Sequence, residues 1–363
     1  MLKRHLLLIL SAAVLFAATA CNLMEPYDPD DDTDILYTYG AYFLNAGHPG
    51  GNDAELSQLN TVLNYVNPNV YSMRNGGKAL GDDARDLQIV GSKLYVTLAG
   101  SREIRVLNKF DSQDLGSITI RSEEDGSILT PNYMASYEGT LIVSLEEGYL
   151  ARIDTLSLKP EVIQAVNGTP RQIAFAGQKL YVANYRDGEE AGHTLQMLNP
   201  VDLHIMKTVE VVPGPAVLET DPATGDLYLI SEGDGQTESA LQRIDKDTDE
   251  VTLVKSVSRP LMMAAGPQSY LVLFVQESDE KAGRFIVFDT KLQNPTADFI
   301  IDGTYISRPC MLSIDQNTGI VYIGENTGDT FGTVHIFTSY GQYITGFNTG
   351  AANPCRAAFV TGN

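Results

Sequence analysis

The sequence predicts an all-β protein, a seven-bladed β-propeller of four-stranded blades, and three recurring marks predict it. The first is a short β-type run, AYFL, LYVT, LIVS, LYVA, LYLI, YLVL and VYIG, centred on Tyr42, Tyr95, Ile142, Tyr181, Tyr228, Leu271 and Tyr322. The second is an alternating strand ending in an apolar residue plus Asn or Asp, at Asn60, Asn108, Asp154, Asn199, Asp245 and Asp289, with Thr338 in the seventh copy. The third is a proline followed by a short apolar run, at Pro131, Pro170, Pro215, Pro260, Pro309 and Pro354. The marks return roughly every 40–50 residues, a period at which each unit is one small sheet.

Each strand of the unit has its own reason. Proline cannot donate to a ladder, so it belongs at a strand's first residue. It therefore opens an inner strand A, expected near residues 86, 133, 172, 217, 262, 311 and 356. A turn such as DPATG (221–225) or DQNTG (315–319) leads into strand B, which carries the first mark. Strand C stops at the Asx residue, whose side chain can cap its own turn and so suits a hairpin corner. An outer strand D, such as EVTLVKSV (250–257), closes the unit.

The register is offset. AYFLN (41–45) opens a unit with no A strand before it, and CRAAFV (355–360) is an A strand with no B strand after it. Docking the C-terminal strand beside the first B strand completes the first blade and leaves no open sheet edge at the ring junction. The propeller is expected over residues 38–363. The apolar content of 43%, with 32 glycines and 16 prolines, suits a large core with many turns.

The N-terminus stands apart from this pattern. Lys3 and Arg4 precede an apolar run over residues 6–17, and small residues at 18–20 lead to Cys21. Residues 1–20 are expected to be a lipoprotein export signal with Cys21 as the lipidation site. The apolar run is too short to span a bilayer. NLMEPYDPDDDTD follows Cys21, so residues 21–37 are expected to be an acidic flexible tether. The formal net charge is −21 and becomes more negative once Lys3 and Arg4 are removed. That excludes nucleic acid and anionic lipid as partners and leaves the lipid anchor as the sole membrane attachment.

No catalytic or nucleotide-binding motif is present. There is no G-x-S-x-G elbow and no H-E-x-x-H, and Gly76-Gly77-Lys78 lacks the rest of a phosphate loop. His48, His193, His204 and His335 are scattered along the chain without metal-ligand spacing. No metal and no cofactor are expected, and the protein is expected not to be an enzyme. Cys310 and Cys355 each follow a repeat proline, at equivalent inner positions of the last and first blades. They are a candidate disulfide across the closure, provided that inner strands of adjacent blades approach closely enough.

What remains is geometry. The B-to-C loops and D-to-A connections of a propeller emerge on one face, around the mouth of the central channel. Five B-to-C loops are long, at 45–54, 184–193, 231–239, 276–283 and 325–332. Polar loops on a rigid ring make a recognition surface. The residues beside the repeat prolines should crowd its centre: Arg85, Asn132, Tyr133, Arg171, Gln172, Arg259, Arg308 and Arg356. Two readings of these five arginines stand side by side. They hydrogen-bond ligand oxygens, or they pair with loop carboxylates and neutralise the funnel. Tyr133, Tyr185 and Phe331 can add flat contact area.

LYVTLAGSREIRVLN (94–108) and LYVANYRDGEEAGHTLQMLNP (180–200) resemble the YVTN-type (YncE-like) seven-bladed propellers. AYFLNAGHPGGNDAELSQLN (41–60) with MRNGGKALGDDARDLQI (73–89) resembles the opening of exported Bacteroidetes propeller lipoproteins. The acidic stretch after Cys21 is similar to the signal that sends such lipoproteins to the cell surface. This resemblance implies a lipid-anchored protein of the outer membrane, facing outward beside a TonB-dependent transporter. Some members of the group capture vitamin B12 and pass it to that transporter. The implied ligand is therefore a bulky nutrient such as a corrinoid, with Asn45, His48 and Asn52 of the first loop among its contacts. Ala46-Gly47-His48 replaces the Glu-Gly-Asn more usual in the group, which bears on specificity. A propeller enzyme of lactonase or lyase type and a protein–protein module without a small ligand are the alternatives.

Overall fold

The repeat marks build seven four-stranded antiparallel sheets, and the last strand of the chain joins the first sheet. The computed structural model describes residues 37–362 apart from 277, 279–281 and 329. The expected export signal, Cys21 and most of the expected acidic tether lie outside the described residues. The strands are numbered β1–β28 in chain order. Blade 1 has the order β28 (Pro354–Gly362), β1 (Tyr37–Asn45), β2 (Glu55–Asn60) and β3 (Tyr65–Asn67). The other six blades each hold four consecutive strands. Their inner strands are β4 (Ala84–Val90), β8 (Pro131–Tyr137), β12 (Thr169–Ala176), β16 (Pro215–Thr220), β20 (Pro260–Ala265) and β24 (Pro309–Ile314). The seven-bladed, four-stranded propeller and its closure by the C-terminal strand are thus as the sequence predicts.

Alternation along strand B explains the packing. The buried side chains form seven clusters, one at each junction between neighbouring blades. Tyr42 and Leu44 face blade 2, while Ala41 and Phe43 face blade 7. A strand with both faces covered reads as a continuous apolar run, which is why the first mark is so legible. The tyrosines also tie blades together. The Tyr42 hydroxyl donates to the Lys109 carbonyl at 2.9 Å, and the Tyr181 hydroxyl donates to Asp249 at 2.8 Å, each across a blade boundary.

The hairpin corners behave as their chemistry requires. Side-chain oxygens of Asn60, Asn108, Asp154, Asn199, Asp245 and Asp289 accept backbone N–H groups two or three residues on. In the seventh corner the Thr338 hydroxyl takes over, accepting from the Gln342 N–H at 3.1 Å. A hydroxyl in place of the Asx group keeps the same device.

The fold departs from the sequence expectation in three places. A short helix, α1 (Val70–Arg74), lies between β3 and β4, and the buried Glu55 carboxylate accepts the N–H groups of Tyr71 and Ser72. The predicted D strand at 250–257 is only β19 (Val251–Leu253), because Val254 and Val257 turn inward and are buried. The stretch 184–193 is not a loop. Strands β13 (Lys179–Asp187) and β14 (Glu190–Leu198) extend it into a tight hairpin.

Candidate functional site

The site begins with a backbone irregularity. In six inner strands the register slips immediately after the opening proline, or after Ala84 in blade 2: Ala84/Asp86, Pro131/Met134, Pro170/Ile173, Pro215/Val217, Pro260/Met262 and Pro309/Met311. A bulge leaves one or two residues out of the ladder and re-aims their side chains. The freed residues include Arg85, Asn132, Tyr133, Arg171 and Gln172, all candidates from the sequence. Blade-to-blade bonds hold the bulges. Thr97 donates to the Asn132 carbonyl at 2.6 Å, and Ser144 donates to the Arg171 carbonyl at 2.7 Å. Asp86 accepts the Met134 N–H at 2.7 Å, and Gln172 accepts the Leu218 N–H at 2.8 Å, the same seam bond two blades further round.

Two cavities share Tyr133. The outer one, at the mouth, has a volume of about 430 Å³ and is lined by Arg85, Asn132, Tyr133, Glu146, Arg171 and Tyr185 with their neighbours. The inner one is the central channel, about 240 Å³, bounded by residues from all seven inner strands, including Asp86, Tyr133, Gln172, Glu219 and Arg356. The mouth is eccentric. The residue after the repeat proline, or after Ala84, is polar in blades 2–4 (Arg85, Asn132, Arg171). In blades 5, 6, 7 and 1 it is Ala216, Leu261, Cys310 and Cys355. Polar groups therefore gather over blades 2–4.

The two readings of the arginines are resolved for three of them, which are paired. Arg85 contacts Asp83 at 2.7 Å, with Glu146 at 3.9 Å. Arg171 contacts Glu232 at 2.7 Å, and its guanidinium lies 4.5 Å from the centre of the Tyr185 ring. Glu232 also accepts the Tyr185 hydroxyl at 2.8 Å. Arg356 pairs with Asp86 at 3.1 Å and stacks over Tyr133 at 5.1 Å. Burial disfavours the charge on Arg171, but Tyr133 and Glu232 more than offset it and hold the guanidinium protonated. Burial lifts Glu146 above its usual range, against the pull of Arg85. The mouth therefore presents preformed ion pairs and aromatic faces, together with the exposed Arg186, which lies 5.6 Å from the centre of the Tyr185 ring and has no ion pair among the described residues.

Several candidate residues lie elsewhere. Asn45 is wholly buried, its amide donating to the Glu55 carbonyl at 3.3 Å and to Ser57 at 3.0 Å, so it braces blade 1 and does not face solvent. His48 contacts Asp53 at 2.8 Å, and the Gly50 and Asn52 N–H groups reach Asp82, which fastens the first loop at the rim. Arg259, Arg308 and Phe331 line neither cavity. Arg259 has a left-handed φ of +46°, and its carbonyl accepts the Gln276 N–H at 3.1 Å, a role set by its backbone.

The candidate disulfide is corrected too. Cys310 and Cys355 are free thiols. Their sulfurs turn to different carbonyls, Cys310 to Pro354 at 3.1 Å and Cys355 to Leu44 at 3.5 Å. Desolvation pushes the half-buried Cys355 thiol up to about 12, and the Cys310 thiol is moved the same way, with Glu325 adding to it, although Cys310 as a residue is exposed.

Sequence reasoning missed Asp86 and Glu219. Both are carboxylates on inner strands, two and four residues into the A-strand pattern; at the Glu219 position the other blades carry Ala, Ser or Gln. That position was the available signal. Burial lifts Asp86, with Arg356 pulling against it. Burial likewise pushes Glu219 up to about 7, Arg356 opposing and Asp86 reinforcing the shift.

No family model matches the chain, and no curated protein matches it by sequence. Solved structures do share the fold. A dihydro-haem d1 dehydrogenase, NirN, aligns with TM-score 0.58 at 9% identity, covering 92% of this chain and 82% of that one. A hydrazine synthase of Kuenenia stuttgartiensis aligns with TM-score 0.54 at 15% identity, covering 68% of this chain and 73% of that one. A computationally designed protein, Ika8, aligns with TM-score 0.55 at 12% identity over 86% and 88% of the two chains. Such low identities show the fold alone. Two of the three are enzymes, which overturns the expectation that the chain is not an enzyme and leaves its enzyme status undecided.

Proposed function

We propose that the chain is a lipid-anchored outer-membrane protein that binds a bulky polar nutrient over the mouth built by blades 2–4. It then hands that ligand to a TonB-dependent transporter. One observation carries the binding part: bulges on three successive blades aim Arg85, Asn132, Tyr133 and Arg171 at one cavity of about 430 Å³. The cavity combines two ion-paired arginines, an amide and two tyrosines, so it suits a ligand rimmed with amide, carbonyl or hydroxyl groups. Fixed side chains on a rigid ring lose little entropy when a ligand lands. A corrinoid is larger than the cavity and would rest across the mouth, with one edge entering it. The lipoprotein signal, the acidic tether and the similarity of the first blade to surface lipoproteins support the location and the transporter partner.

The test uses the chain from Asn22, mixed with cyanocobalamin and passed through gel filtration while visible absorbance is recorded. Co-elution of the red chromophore with the protein is expected, together with its loss in an Arg85→Ala, Arg171→Ala double variant. Colour confined to the small-molecule volume would remove the corrinoid and turn the search to other polar nutrients.

A further inference from the structure

Of the three charged groups that line the channel, Asp86, Glu219 and Arg356, Glu219 is the one without an ion pair among the described residues. It lies on β16 and lines the inner cavity of about 240 Å³. What acts on its carboxyl is burial and the charges of Arg356 and Asp86, with no hydrogen bond from any described residue. The groups that face it are few. Asp86 on β4 and Arg356 on β28 neutralise each other at 3.1 Å, and Asp86 also takes the Met134 N–H. Tyr133 comes from β8, while β12, β20 and β24 offer only uncharged Gln172, Ala264, Ser313 and the nearby Gln316. An ionised Glu219 thus leaves one net negative charge in a polar cavity that supplies no dedicated counter-ion. Glu219 is half-buried, and a charge in that state is costly, so a cation or a proton relieves it.

The chemistry narrows the ligand. An anion is excluded by Glu219 itself. A divalent metal asks for several carboxylates or carbonyls around one point, and no group of three or more His, Cys, Asp or Glu side chains able to hold a metal occurs among the described residues. One carboxylate with neutral oxygen acceptors is the donor set for an ammonium group, which needs one charge and a few hydrogen-bond acceptors. Gln316 donates its amide to the Ala265 carbonyl at 2.6 Å, which leaves its oxygen as an acceptor.

We propose that the central channel is a second binding site, for one small organic cation of the ammonium class, with Glu219 as its counter-charge. The site is separate from the mouth and joined to it only through Tyr133. Because burial holds the Glu219 carboxyl near neutrality, at about 7, the cation and the proton compete for it. Binding weakens roughly tenfold for each pH unit below that value.

The test is thermal unfolding of the chain from Asn22 in methylammonium chloride, compared with tetraethylammonium chloride at equal ionic strength. Methylammonium is expected to raise Tm at pH 8, with an apparent affinity at least tenfold weaker at pH 5.5. Glu219→Gln is expected to abolish the difference between the two salts. The proposal is overturned by equal effects of the two salts at pH 8, by an effect unchanged at pH 5.5, or by one that survives in Glu219→Gln. The pH comparison is made on the unaltered chain and stands even if the variant fails to fold. Cyanocobalamin binding, tested separately, reports on the mouth and not on the channel.

Discussion

Arg356, three residues into the last strand, lies 3.1 Å from Asp86 on the first inner strand of the neighbouring blade, inside the central channel. The two residues are 270 positions apart in sequence, yet the closure of the ring makes them neighbours. Strand β28 is held in blade 1 by its ladder and across the seam by this pair, whose carboxylate is also satisfied by the Met134 N–H.

Breaking that pair from one side should be more damaging than removing it whole. Arg356→Met leaves Asp86 buried without its counter-charge and is expected to cost about 3 kcal/mol. Adding Asp86→Asn to it should restore a large part of the loss. Urea unfolding of the two single variants and the double variant measures the coupling. Strictly additive losses would mean that the pair does not hold the seam.

Glu219 should make stability fall as pH rises. Its carboxyl sits at about 7 in the fold, above the ordinary value of 4.5, so the folded state binds the proton more tightly. Its contribution is fully present below pH ~4.5 and is lost as pH climbs towards ~7. Glu219→Gln mimics the protonated form. It is expected to match the unaltered chain near pH 4 and to exceed it by about 3 kcal/mol at pH 8. Unfolding midpoints across that range decide the matter; parallel curves for the two proteins would place Glu219 in a better-hydrated site than the channel.

The two thiols should be present and slow. With both pushed up to about 12, neither is a thiolate at neutral pH. The native chain from Asn22 is expected to react sluggishly with Ellman's reagent, and the unfolded chain to release two equivalents. Fewer than two under unfolding, non-reducing conditions would reveal a bond between Cys310 and Cys355.

At the mouth, Arg171→Ala should separate binding from stability. The Arg171–Glu232 pair is partly open to solvent, with side chains 28% and 41% exposed, so its loss should cost under about 1 kcal/mol. Cyanocobalamin affinity, followed by equilibrium dialysis, should drop tenfold or more. Unchanged affinity would move the ligand away from blades 3 and 4.

At a hairpin corner, Asp289→Ala removes the acceptor for the Lys291 and Leu292 N–H groups, both at 2.8 Å. A loss of about 1 kcal/mol is expected, since the turn is exposed and water replaces part of each bond. Thermal unfolding gives the value directly, and no change in midpoint would make the corner a consequence of the strands instead of a cause.

The legible part of the molecule was the part that repeats. Tyr42, Tyr95, Tyr181, Tyr228 and Tyr322 occupy one position in five blades and are all buried. A residue covered on both faces of every blade is largely apolar; the Tyr42, Tyr181 and Tyr228 hydroxyls are hydrogen-bonded, while that of Tyr95 is buried without a partner among the described residues. The Asx corners and the opening prolines were equally plain, because each answers to chemistry within a few residues. Arg85, Asn132, Tyr133 and Arg171 could be placed near the mouth for the same reason. That a bulge frees them, and that they crowd over blades 2–4, could not, although the change from polar to small or apolar residues after each proline carried the hint.

The sequence by itself determined the number of blades, the strand order, the corners and the offset that closes the ring, because local periodicity and turn chemistry dictate them. The tertiary structure decided that Arg85, Arg171 and Arg356 meet carboxylates, that Asn45 turns inward, that Cys310 and Cys355 stay unbonded, and that Glu219 has no ion pair among the described residues of the channel. Each of these depends on residues from different blades meeting at the axis or a seam, and on how much water the ring leaves there. A periodic pattern in one chain does not encode those distances.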